Sequence, residues 1–217
     1  IKKLKLIKKK IKKKNLNFIA IQSVFYGVKT NNEISKKNKK IVISHFKKIV
    51  KFANYLKIKK INIGSAPFRK IKTDPFLLMN YNLMLFKSFA KIVSNHNIIL
   101  NIEPISKKYK NFFLFDFTEV MNFIKKLRTK NIKIVLDTGN CELQKKNFKN
   151  IYYKYNKLIN HIQISEKNLK QIKIVKIKKI LKFLKNQNYK KTVSIEYFNS
   201  NGDKINLLNR LIKNNNY

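Results

Sequence analysis

Residues 132–139 read IKIVLDTG, a short apolar, β-branched run that stops on an acid, a hydroxyl and a glycine. Such a run fits a buried strand of a parallel sheet, and it places Asp137 at the strand's end. The same signature recurs on both sides, at residues 17–23 (NFIAIQS), 60–65 (KINIGS), 98–104 (IILNIEP), 161–165 (HIQIS) and 192–198 (TVSIEYF). Longer stretches of helical period separate these runs. Over 35–56, Val42, Phe46, Ile49, Val50, Ala53 and Leu56 fall on one face, as an amphipathic helix requires. The stretch 74–94 opens with Asp-Pro, a cap followed by proline in the first turn. Residues 116–130, 142–157, 175–185 and 203–213 complete the helical series, and 1–14 reads as a helix ahead of the first run.

Strand and helix alternating six times predict a parallel β/α architecture. Two arrangements satisfy the pattern. An open doubly wound sheet takes six units directly, whereas a closed (β/α)8 barrel takes eight and typically about 250 residues. With 217 residues, a barrel would lack its first two units, and a first residue of Ile rather than Met leaves room for them. Only four Gly and three Pro occur, with no Gly/Ser/Pro-rich linker, so residues 1–217 are expected to form a single domain.

Lys and Arg number 51 against 10 Asp and Glu, a formal net charge of +41. A balance this basic is the usual footprint of nucleic-acid binding, but the kind of cation argues otherwise. Arg69, Arg128 and Arg210 are the only arginines, leaving 48 lysines. A surface selected to grip phosphate keeps the guanidinium fork, which binds oxygen pairs bidentately. Lys, Asn and Ile together fill 110 of 217 positions, and all three can be written in codons of A and T alone. Mutational bias toward A+T accounts for the lysines, and no specific nucleic-acid partner is expected.

No apolar run approaches the roughly 18–20 residues of a membrane span. The segment FIAIQSVF after the basic start is short, contains Gln22 and is followed by no small-residue cleavage site. It reads as a core strand rather than a secretory signal. The lone Cys141 excludes an internal disulfide and fits a reducing cytoplasm.

Against so many lysines, each acid is informative. Glu103, Asp137, Glu166 and Glu196 lie at or just beyond the ends of apolar runs. In a parallel β/α fold those ends share one face, where ligands bind. Carboxylates gathered in a partly dry pocket repel one another and resist ionisation. A divalent cation relieves that repulsion, and hard oxygen ligands suit Mg²⁺ or Mn²⁺. A single such acid would as readily cap a helix or pair with a lysine; four on one face point to a site.

The successive strand ends NIEPI, VLDTGN, HIQISE and VSIEYF resemble the xylose-isomerase-like TIM-barrel superfamily of sugar phosphate isomerases and epimerases. Upstream, QSVFYG at 22–27 and INIGSAPFR at 61–69 look like that superfamily's third and fourth strand ends. The resemblance implies a (β/α)8 barrel whose first two βα units are missing from this chain. It implies a single divalent metal, Mn²⁺ or Mg²⁺, held by Glu103, Asp137, Gln163 and Glu196. It further implies a carbohydrate or small hydroxy-keto acid substrate, with the metal bridging carbonyl and neighbouring hydroxyl to stabilise an enediolate. Glu103 and Glu196 would then remove and return the proton.

His161 resembles the histidine that contacts substrate hydroxyls, and reads equally as a core histidine with its hydrogen bonds met. By the same resemblance Arg69 is expected to contact a hydroxyl or phosphate. Glu166 would touch the substrate or support the ligands from behind, and Asn140 would bind substrate. Two positions depart from the ketohexose epimerases, which usually carry His at the place of Asn140 and Arg at that of Leu169. The alternatives are an apurinic endonuclease-like protein of the same superfamily, a basic nucleic-acid-binding protein, and an inactive or truncated barrel remnant. The endonucleases use several metals and many histidines, and this chain has only His45, His96 and His161.

Overall fold

The structure, a computed structural model, describes residues 2–31 and 33–198. Five of the six expected runs are strands: β1 (Lys60–Ile63), β2 (Ile99–Ile102), β3 (Ile132–Asp137), β4 (Ile159–Ile164) and β5 (Thr192–Ile195). Their hydrogen-bonded order is the order of the chain, β1-β2-β3-β4-β5. The chain divides into two compact units, Ile1–Ile134 and Val135–Tyr217, and the division falls inside β3.

The first unit holds α1 (Lys2–Lys13), α2 (Lys36–Tyr55), α3 (Pro75–Ser94) and α4 (Phe117–Leu127) around β1, β2 and the start of β3. Three of these helices begin where a side chain meets an otherwise orphaned N–H. Ser35 accepts from Asn38 N (3.1 Å), and Asp74 from Leu77 N (2.9 Å) with Pro75 behind it. At α4, Asp116 accepts from Glu119 N (2.8 Å) while Glu119 accepts from Phe115 N (2.8 Å), a variant of the reciprocal capping box. The buried faces of α2 and α3 carry Val42, Phe46, Val50 and Ala53, and Leu85, Phe86, Phe89 and Val93. Their core is aromatic. Ring centroids lie 4.2 Å apart for Phe46 and Phe89 and 5.1 Å for the edge-on pair Phe86 and Phe123.

Within this unit the strands pair in parallel with Asn62 opposite Asn101 and Asn101 opposite Lys133. Alternation puts Ile61, Ile63, Leu100 and Ile102 on one face, all buried. On the other face Asn101 Nδ2 donates to Asn62 Oδ1 (2.8 Å), so two buried amides hold neighbouring strands in register.

Residues 17–23 do not form the expected strand. Ile21 alone bridges to Ile61, in parallel, through Ile21 N to Lys60 O (3.0 Å) and Asn62 N to Ile21 O (2.8 Å). Two residues later Ser23 takes a left-handed backbone (φ 54°) and accepts from Tyr26 N (2.9 Å). The chain turns away before a second pair can form.

The second unit holds the end of β3, α5 (Thr138–Leu143), α6 (Phe148–Tyr155), β4, α7 (Ile174–Asn186) and β5. β4 and β5 pair in parallel with His161 opposite Thr192 and Gln163 opposite Ser194. Phe183 of α7 packs edge-on against Tyr152 and Phe148, at 5.2 and 5.8 Å. The single helix expected over 142–157 is two. Asp137 starts the first by capping it directly off the strand, Lys145 breaks it at φ 55°, and Asn147 starts the second by accepting from Lys149 N and Asn150 N. The helix expected at 203–213 lies outside the described residues. Among the described residues no helix is long and apolar enough to cross a membrane.

Candidate active site

Each expected ligand stands at the C-terminal end of its strand. Glu103 follows β2 directly, Asp137 ends β3, Gln163 is the next-to-last residue of β4, and Glu196 follows β5 directly. The ladder of backbone hydrogen bonds runs one residue beyond the strands. Glu103 N donates to Ile63 O and Glu196 N to Ile164 O, both at 3.0 Å. The sheet therefore fixes the backbone of both glutamates.

In the first unit Glu103 is 6% exposed, and its carboxylate lies over Gly64. A Cβ at Gly64 would stand 2.7 Å from Glu103 Oε2, closer than carbon and oxygen can pack. Behind it Arg69 is completely buried. Its guanidinium donates to the carbonyls of Gly64, Glu103 (2.9 Å), Phe113 (3.1 Å) and Leu114. One buried cation thus ties the ends of β1 and β2 to the segment at 113–114. Burial lowers its pKa to about 10, against the pull of Glu103 and Glu119, so it stays charged at neutral pH. The sequence alone suggested a contact to a substrate hydroxyl or phosphate. Four of the five N–H groups bind backbone carbonyls, and no part of the side chain reaches solvent.

In the second unit Gln163 Nε2 donates to Glu196 Oε2 (2.8 Å). Asp137 takes a donor on each oxygen, Asn140 N on Oδ1 (2.5 Å) and the Ser165 hydroxyl on Oδ2 (2.7 Å). Burial raises the Asp137 pKa, while these two bonds and the charge of Lys176 pull it back down. His161, 3% exposed, has one ring nitrogen 2.7 Å from Thr192 Oγ1 and the other 2.9 Å from Ser194 Oγ. Both ring nitrogens thus have hydroxyl partners on β5.

Glu166 points to a lysine rather than to a ligand site: Lys176 Nζ lies 3.0 Å from its Oε2. Asn140 is buried in the first turn of α5, where its N–H serves Asp137. Burial pushes the Cys141 thiol well above its ordinary range, which removes it as a nucleophile at neutral pH. Gly64, Thr138, Ser165 and Lys176 were not singled out from the sequence. Gly64 and Ser165 lie inside the strand-end motifs, whereas nothing marks Lys176 among 48 lysines.

Among the described residues, no three His, Cys, Asp or Glu side chains are gathered as a metal ion would require. The donor chemistry nevertheless suits one. Asp137, Gln163 and Glu196 present oxygen donors, and a carboxylate oxygen that accepts one hydrogen bond keeps a second lone pair. Oxygen-only sets of this kind favour Mg²⁺ or Mn²⁺.

Successive β/α units with carboxylates at the strand ends define a class of parallel β/α proteins whose ligand face is the C-terminal side of the sheet. Within that class the chain belongs to the xylose isomerase-like TIM barrel family, which it matches over residues 2–214. No curated protein matches it. Among solved structures it is similar to the 3-keto-D-glucoside 4-epimerase of E. coli, at 13% identity over 95% of this chain and 83% of that one, with a TM-score of 0.78. It is also similar to a D-psicose 3-epimerase from Clostridium cellulolyticum H10 solved with D-tagatose, at 14% identity over 95% and 78%, TM-score 0.76. An AP endonuclease, family 2, from Brucella melitensis matches at 16% identity over 90% and 78%, TM-score 0.76. At these identities the likeness is one of fold.

Proposed function

We propose that the protein is a divalent-metal-dependent isomerase or epimerase that moves a proton on a sugar, a sugar phosphate or a small hydroxy-keto acid. The observation that carries this reading is the matched setting of Glu103 and Glu196. Each sits one residue past a strand, with its N–H bonded at 3.0 Å to the last residue of the preceding strand. A backbone held by the sheet, rather than by a loop, supports assigning an acid–base role to each glutamate.

Glu103, Asp137, Gln163 and Glu196 would hold Mn²⁺ or Mg²⁺. When bound, the cation polarises the substrate carbonyl and makes the adjacent C–H acidic. One glutamate accepts the proton from the carbon next to the carbonyl. The other returns a proton, to the neighbouring carbon in an isomerisation or to the opposite face in an epimerisation. Burial of Glu103 limits exchange of that proton with bulk water. The Gln163 amide, bonded to Glu196 Oε2, sets the direction in which that carboxylate faces. His161 ties β4 to β5 through Thr192 and Ser194 and stiffens the strands that carry this pair. The sugar epimerases among the similar structures favour a carbohydrate substrate, and the net charge of +41 steers anionic ones toward the protein.

The test is proton exchange. The purified protein with Mn²⁺ is incubated in D₂O with a panel of ketoses, sugar phosphates and 2-keto acids, and NMR follows deuterium entering beside the carbonyl. Glu103→Gln and Glu196→Gln should each lower the rate by about 10²–10⁴-fold, and EDTA should abolish it until Mn²⁺ is restored. No exchange across the panel, together with no Mn²⁺ binding by calorimetry, would refute the proposal.

A further inference from the structure

We infer that Lys176 is a positioning residue: acting through Ser165 it fixes the Asp137 carboxylate. The inference rests on the reading above, in which Asp137 is a metal ligand.

Lys176 lies in the first turn of α7, with its side chain 18% exposed. Its ammonium meets three oxygens, Glu142 Oε1 at 2.6 Å, Ser165 O at 2.7 Å and Glu166 Oε2 at 3.0 Å. Three protons for three acceptors saturate the group. Lys178, two residues along the same helix, is exposed.

Ser165 is the hinge of the arrangement. Its carbonyl accepts from Lys176 and from Thr138 Oγ1 (2.7 Å), and its N–H donates to the same Thr138 Oγ1 (2.8 Å). Its hydroxyl accepts from Gly139 N (3.0 Å) and donates its single proton to Asp137 Oδ2 (2.7 Å). Locating the Ser165 backbone therefore locates the hydroxyl that aims Asp137. The fit is close enough that a Cβ on Gly139 would stand 2.5 Å from Ser165 Oγ and 2.6 Å from Glu166 O. With Asn140 N on the other oxygen, donors on both sides hold the carboxylate plane. Support of this kind behind a ligating group is what pre-organises a metal site.

Glu142 and Glu166 each bind Lys176 through one oxygen, so Glu166, beside a strand end, serves as an anchor for the lysine that holds Ser165.

Amide hydrogen exchange on the metal-free protein tests the inference directly, because Gly139 N–H and Asn140 N–H report on Ser165 Oγ and Asp137 Oδ1. Lys176→Met should speed exchange at these two amides at least about tenfold while leaving the Glu196 amide unchanged. Lys176→Arg should restore part of the protection, and Lys178→Met, which removes the same charge from the same helix, should do nothing. In Mn²⁺ titrations followed by electron paramagnetic resonance, Lys176→Met and Ser165→Ala should weaken binding about 10–100-fold, the usual loss on removing support behind a ligand. Unchanged exchange at Gly139 and Asn140 in folded Lys176→Met would overturn the inference, as would equal acceleration throughout β4 and β5. Should Lys176→Met not fold, Ser165→Ala decides on the same two readouts, and no change in either would overturn it. Wild-type protein that binds no Mn²⁺ but shows the expected exchange pattern would remove the metal reading and leave the positioning of Asp137 standing.

Discussion

Arg69 is a fully buried cation, and its four carbonyl partners belong to three separate stretches of chain. Each buried acceptor left unmet costs about 1–3 kcal/mol. Arg69→Met should therefore destabilise the fold by about 3 kcal/mol or more in chemical denaturation. Arg69→Lys, which keeps the charge but loses the planar fork, should recover only part of that. The sequence singles out Arg69 as a rare arginine, yet cannot say which way the fork points. That depends on whether the loop at 113–114 closes over it, a tertiary fact with no local signature. His161 was ambiguous for the same reason, since its partners Thr192 and Ser194 lie 31 and 33 residues away. The strand-end acids were legible because they are scarce.

Individual helices were legible where the cap is a short polar residue ahead of an apolar face, as at Ser35, Asp74 and Asp116. α5 was not, because Asp137 serves at once as the last residue of β3 and as the cap of the helix. No break separates the two periods there. The cap of α4 also makes a pH prediction. Burial raises the Glu119 pKa above its ordinary value, outweighing the bonds to Leu114 and Phe115 that lower it. A carboxyl raised in the fold contributes stability that is fully present below its unfolded pKa of about 4.5 and is lost as pH rises through the folded value. Glu119→Gln keeps the acceptor for Phe115 N without the charge. It should melt above wild type at pH 7.5, and the difference should close as pH falls toward 4.5, as scanning calorimetry at several pH values would show.

At the scale of the whole molecule the charge of +41 dominates behaviour without defining function. RNA should bind at low salt without sequence preference. Its affinity should fall by about 10³–10⁵ between 50 and 200 mM salt for a footprint of six to ten phosphates. Filter binding that persists at the higher salt, or that favours one sequence, would reverse the reading of the lysines. The lysine-rich composition leaves the packed interior legible, since the periodicities of 2 and 3.6 survive in Ile and Phe. Glycine behaves differently in such a chain. Its codons all begin with two guanines, so a gene written largely in A and T holds few of them. Two of the four glycines, Gly64 and Gly139, stand where any side chain would strike Glu103 or Ser165. Glycine-to-alanine changes at these two positions would therefore force a neighbour to move, the Glu103 carboxylate at one and the Ser165 hydroxyl with the Glu166 backbone at the other.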